Sequence, residues 1–157
     1  MKSKELQIAY ISCQRNELNE ADAELVIAAE RATYSSYAPY SNFHVGAAVR
    51  LENNEIYCGS NQENAAFGAG TCAERTAMFY VNANSGLAIT TIAVVARGTN
   101  GEVTPNPITP CGLCRQALLE AQTRSGKPIR LLLVGKNEVL IINSVSDLLP
   151  FQFDAIV

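Results

Sequence analysis

Three of the five cysteines in this chain fall into a pattern that can do chemistry. Cys111-Gly112-Leu113-Cys114 sets two thiols about one helical turn apart, directly after Pro110, and Cys72 opens another helical pattern upstream. Backbone N–H groups and the dipole at a helix start favour thiolate over thiol. Two such starts meeting would gather three thiolates on one point. Zinc accepts thiolate at about 2.3 Å in a tetrahedral shell, and three protein ligands leave its fourth position for water. Taken alone, C-x-x-C equally fits a redox dithiol or two small buried hydrophobes. Cys13 and Cys58 read as structural, and Cys58, on a strand pattern with Ile56, is expected to be buried.

Neighbouring side chains extend the pattern. Thr71-Cys72-Ala73-Glu74 has the spacing of a capping box, with Thr71 capping a helix and Glu74 returning the bond. Two residues past a metal ligand, Glu74 is equally placed to take a proton from water and deliver it to a substrate. Spacing leaves both readings open. Three thiolates and a divalent zinc leave a net negative charge, which a guanidinium from Arg75 would soften, unless Arg75 is a plain surface residue. Asn61 and Glu63 alternate onto one side of an extended segment. An amide beside a carboxylate suits vicinal sugar hydroxyls, and a solvated turn equally. Phe43 opens a strand as an ordinary core aromatic would.

The elements that must position these residues follow from periodicity. Ala21, Leu25, Ala28 and Ala32 predict a helix from Asn19 to about Tyr37, capped by Asn19 and stopped by Pro39. Phe43–Leu51 and Glu55–Gly59 predict a hairpin turning at Asn53-Asn54, where positive φ is accessible. A second helix spans Cys72–Asn84, closed by Gly86, and a third follows Pro110 and ends near Gly126. Ile89–Ala96, Ile129–Val134 and Glu138–Ile142 read as further strands, and Ser144–Leu149 as a short helical turn before Pro150. Strands alternating with helices imply a mixed sheet covered on both faces. Residues 1–18 form a poorly specified lead-in, with a short helical or extended piece at Leu6–Ile11, and residues 19–157 a single domain.

Composition narrows the function classes. Charged residues make up 17% of the 157, against about 25% in an ordinary soluble domain. A net charge of −3 and a pI near 5.2 argue against a nucleic-acid-binding protein built on a basic patch. The single His, His44, excludes any site needing two imidazoles. An odd cysteine count argues against a closed disulfide framework. Met1–Tyr10 lacks the apolar run of a signal peptide, and no stretch approaches the length of a membrane span. The expectation is a protein of the reducing cytoplasm, with no membrane partner.

The full constellation, Thr71-Cys72-Ala73-Glu74-Arg75-Thr76-Ala77 with Pro110-Cys111-Gly112-Leu113-Cys114-Arg115-Gln116, resembles the zinc-dependent cytidine deaminase family. Tyr40 to Ala48, Asn61 to Gly68 and Leu148-Leu149-Pro150 are similar to its small, all-cysteine-ligand, homotetrameric type. The resemblance implies a three-layer α-β-α sandwich around a mixed five-stranded sheet. It implies one Zn²⁺ per chain on Cys72, Cys111 and Cys114, with Glu74 as the catalytic proton carrier and Arg75 supporting the thiolates. It further implies ribose contacts from Asn61 and Glu63, packing of Phe43 on the pyrimidine, and main-chain contacts from Ala73 and Cys111 to the base edge. Phe153, with Phe151 as second choice, matches an aromatic that completes a neighbouring subunit's pocket. Phe67 stands where the family commonly has Tyr.

The implied reaction is hydrolytic deamination of cytidine and 2′-deoxycytidine to uridine and 2′-deoxyuridine with release of ammonia, as in pyrimidine salvage. Another small amino-heterocycle, such as a nucleoside antibiotic resembling blasticidin S, is the alternative substrate. A thiol–disulfide protein using Cys111 and Cys114 is the alternative from a different class. Related enzymes acting on polynucleotides often carry His at the first ligand position, where this chain has Cys72.

Overall fold

The computed structural model describes residues 1–154. One mixed sheet runs through its centre in the order β1-β6-β5-β4-β2-β3. The strands are β1 (Ile11–Cys13), β2 (His44–Leu51), β3 (Ile56–Ser60), β4 (Ile89–Arg97), β5 (Arg130–Val134) and β6 (Val139–Ile142). β4 and β5 are parallel, and the other neighbouring pairs are antiparallel. The helices are α1 (Glu20–Ala32), α2 (Ala73–Asn84) and α3 (Gly112–Ser125).

Alternation along β4 divides the core in two. Ile92 and Val94 pack with Val45, Val49, Met78 and Leu118 on the α2/α3 side. Ala93 and Val95 pack with Leu25, Val26 and Ala29 on the α1 side. Successive strand residues point to opposite faces, so an apolar run such as Ile92–Ala96 is the mark of a strand buried on both sides. The three-layer α-β-α sandwich is therefore as expected.

The sheet has six strands rather than five. Ile11, Ser12 and Cys13 of the lead-in pair with Ile141, Leu140 and Val139. That pairing satisfies the outer edge of β6, whose backbone groups would otherwise stand open. The lead-in is pinned further by Arg15, whose Nε donates to the Gly135 carbonyl at 3.1 Å and whose Nη1 meets Glu30 at 2.8 Å.

Boundaries differ where local chemistry intervenes. Asn19 caps α1, its side chain accepting from the Asp22 N–H at 2.8 Å. α1 ends at Ala32, short of Tyr37, because Thr33–Ser35 tighten into a 3₁₀ turn. The β2–β3 turn places Asn54 at φ 70°, while the Asn53 side chain accepts from the Glu55 N–H. Ser85 rather than Gly86 caps α2, and Gly126 ends α3 at φ 64°. Cys58 is exposed rather than buried, because β3 is the outermost strand on its side of the sheet.

Two features set the site. A Cβ on Gly59 would lie 2.4 Å from the Ala77 nitrogen and 2.8 Å from the Ala73 carbonyl oxygen. The missing side chain thus lets α2 lie directly against β3. Beyond β3, Gln62 exchanges backbone hydrogen bonds with Thr71 at 2.9 Å each way, and the Glu63 N–H donates to the Tyr37 carbonyl at 2.8 Å. Residues 61–63 are thereby held beside the start of α2.

Candidate active site

Cys72 is the N-cap of α2 and Cys111 the N-cap of α3, both in extended backbone. Their sulfurs are 3.8 Å apart, and the Cys72, Cys111 and Cys114 sulfurs all lie within 4.8 Å of one another. A tetrahedral zinc with bonds of about 2.3 Å requires sulfurs about 3.8 Å apart. The donor set and its spacing therefore fit zinc. A redox dithiol would give Cys72 no role, yet Cys72 is held in the same cluster. Cys114 is fully buried on the first turn of α3, while Cys111 is exposed.

The thiols are electrostatically organised. A hydrogen bond from the Cys114 thiol does most to lower Cys72, to about 5, against the cost of burial, with Arg75 and Cys111 adding to the effect. Cys114, the donor in that bond, is pushed up correspondingly. Arg75 Nη2 lies 3.8 Å from the Cys72 sulfur. Its guanidinium therefore faces the cluster instead of solvent alone.

Thr71 and Glu74 do not form a capping box. The helix begins one residue later than that motif needs, with Cys72 as its cap and no side-chain capping bond. The Thr71 hydroxyl instead approaches the Cys72 carbonyl at 3.4 Å. Glu74 is 4% exposed. Burial pushes its carboxyl above the ordinary range, opposed by its own backbone N–H and the Cys114 thiol. Such a carboxyl holds a proton more readily than a solvated one, as proton-transfer work requires.

A cleft of about 290 Å³ opens beside the cluster, lined by Asn61, Glu63, Cys72 and Arg75 and walled by Tyr40 and Phe67. Asn61 Oδ1 accepts from the Val45 N–H at 2.7 Å, and its Nδ2 donates to the Phe43 carbonyl at 2.9 Å. The amide retains a second N–H. Glu63 Oε2 accepts from the Tyr40 N–H at 2.9 Å and the Ser41 N–H at 3.3 Å. The Ser41 hydroxyl and these N–H groups hold the Glu63 carboxyl below its usual value. Both residues thus anchor the loop before β2 as well as lining the cleft.

The remaining expected residues lie around this arrangement. Ala73 is fully buried between Cys72 and Glu74. Phe43 packs on the α2/α3 core and does not line the cleft. Phe153 is exposed beside α3, its carbonyl accepting from Gln116 Nε2 at 2.8 Å. The Tyr40–Phe67 pair, ring centroids 6.3 Å apart and edge-to-face, was not read from the sequence. Its sequence signals are an aromatic just after Pro39, in a run that also reads as turn, and Phe67 at a position where the family commonly has Tyr.

A family model described as the cytidine and deoxycytidylate deaminase zinc-binding region matches residues 19–126. The chain belongs to this deaminase family. Among curated deaminases, a cytidine deaminase of Halalkalibacterium halodurans is 37% identical over 131 residues, covering 83% of this chain and 92% of that protein. One of Sporosarcina psychrophila is 42% identical over 100 residues, covering 63% of this chain and 69% of its own. The crystal structure of a cytidine deaminase from Burkholderia pseudomallei superposes with a TM-score of 0.72 at 38% identity, covering 83% of this chain and 97% of that one. The cofactor of this deaminase is zinc, which the Cys72, Cys111 and Cys114 cluster is positioned to hold. No helix among the described residues is long and apolar enough to cross a membrane.

Proposed function

We propose that the chain hydrolyses cytidine and 2′-deoxycytidine to the corresponding uridines, releasing ammonia. The observation that carries this reading is the buried Glu74 carboxyl, two residues from Cys72 in a sulfur cluster of zinc geometry, beside a cleft that Asn61 and Glu63 line. Zinc held by three thiolates supplies the Lewis acidity that makes water a nucleophile at neutral pH. Glu74 accepts a proton from the attacking water and places it on pyrimidine N3 as the water oxygen bonds to C4. Glu74 then carries the second proton to the exocyclic nitrogen, the C4–N bond breaks, and ammonia leaves. One water is consumed and no redox partner is needed.

Asn61 and Glu63 hold the sugar hydroxyls, the former with its remaining amide N–H and the latter with its carboxylate. Ala73 and Cys111 meet the base edge through their main chains, and Phe43, whose carbonyl holds the Asn61 amide, packs against the pyrimidine. Arg75 donates to the Cys72 sulfur and so tempers the negative charge of the thiolates. With Arg75 turned to sulfur and Glu63 ionised, the cleft offers little to a 5′-phosphate, which favours free nucleosides. The working form is a homotetramer of the cytoplasm serving pyrimidine salvage, with Phe153 reaching a neighbouring subunit's pocket. The exposed Phe67, Leu113 and Phe153 are apolar surface suited to such contacts.

Purified protein is expected to contain one zinc per chain and to convert both cytidines, followed by absorbance and ammonia release. A panel adding cytosine and blasticidin S separates the substrates. Inactivity on both cytidines with zinc fully loaded would overturn the assignment.

A further inference from the structure

Arg115 follows Cys114 on α3 and folds back past the start of the helix. Its Nε donates to the Pro110 carbonyl at 2.8 Å, and its Nη2 reaches the Thr109 hydroxyl at 3.3 Å. Thr109 and Pro110 are the two residues that deliver the chain to Cys111. Pro110 is buried, and its carbonyl precedes the first acceptor of the helix, the Cys111 carbonyl, which takes the Arg115 N–H at 2.9 Å. No helical N–H serves the Pro110 oxygen, so the guanidinium serves it. The third contact, Nη1 to the Leu148 carbonyl at 3.1 Å, draws in the Leu148-Leu149-Pro150 motif. Leu148 and Leu149 pack against the α2/α3 core, so that anchor is fixed to the body of the protein.

We propose that Arg115 is a positioning residue for Cys111. It clamps the backbone before the ligand to Leu148, holding the Cys111 sulfur in place beside Cys72 before metal arrives. A planar fork of five donors can hold these three acceptors together, and a lysine ammonium cannot reproduce that geometry. The proposal rests on zinc binding at the three cysteines.

The test is the rate of zinc release to a chromogenic chelator from loaded wild type and Arg115→Lys, beside thermal unfolding of the metal-free forms. Release is expected to quicken on the order of tenfold in Arg115→Lys, as for other residues that orient metal ligands, with the metal-free midpoint little changed. Release at the wild-type rate overturns the proposal. If Arg115→Lys does not fold, Thr109→Val removes only the Nη2 contact, and roughly threefold faster release is expected there. Unchanged release in that variant is equally decisive against it. Gln116→Ala frees the Phe153 carbonyl alone and should release zinc as wild type does. Matching acceleration in Gln116→Ala would assign the effect to the tail and overturn the clamp. Wild type without zinc defeats the metal reading itself, and this proposal with it, a result distinct from failure of Arg115→Lys alone.

Discussion

At the residue scale, the same side chains serve the site and the fold. Glu63 lines the cleft while its Oε2 gathers the Tyr40 and Ser41 N–H groups. Its folded pKa lies below the ordinary value. The stabilisation is therefore complete above the unfolded carboxyl pKa, about 4.3, and is lost as pH falls through the lower folded value. Denaturant unfolding of wild type and Glu63→Gln should show a gap at neutral pH that closes as pH drops below about 4. A gap that widens on acidification would contradict this. Cys72→Ser should lose zinc while Cys58→Ser keeps it, as metal analysis of the two proteins will show. Spacing and helix starts single out the three cysteines but leave a redox dithiol open, and it is the resemblance of the full constellation that implies the zinc ligand set. The choice for Glu74 is not legible, because it turns on whether Thr71 or Cys72 caps α2, a difference of one residue that local spacing does not resolve.

At the scale of elements, the site depends on two helix starts brought against one sheet. α2 reaches its depth because Gly59 has no side chain. Gly59→Ala should push α2 off β3, cost about 1–3 kcal/mol of stability, and weaken zinc binding by shifting Cys72 relative to Cys111. Chemical denaturation and zinc titration together check this, and unaltered zinc affinity would detach the helix position from the site. α1 is visible in its apolar periodicity, the long strands in their apolar runs, and α2 and α3 mainly in the Pro and Gly that bound them. β1 is not, since Ile11–Cys13 is too short to show a period and forms by pairing with β6. The exposure of Cys58 was hidden for a related reason, as strand patterns do not reveal which strand ends a sheet.

For the whole molecule, the low charge and the exposed apolar side chains belong together. A chain with 17% charged residues that leaves Phe67, Leu113 and Phe153 open has apolar area to place against other copies. Sedimentation at micromolar concentration should show a tetramer, and a monomer would leave that surface unexplained. Proton transfer by Glu74 in a zinc-dependent hydrolysis at C4 of cytidine is the step on which the proposed function stands. It is tested most directly by ammonia release from cytidine with Glu74→Gln carrying its full complement of zinc. The variant is expected to keep the fold and zinc content of wild type, with turnover lowered roughly a hundred- to ten-thousand-fold. Turnover like that of wild type in the zinc-loaded variant would contradict it.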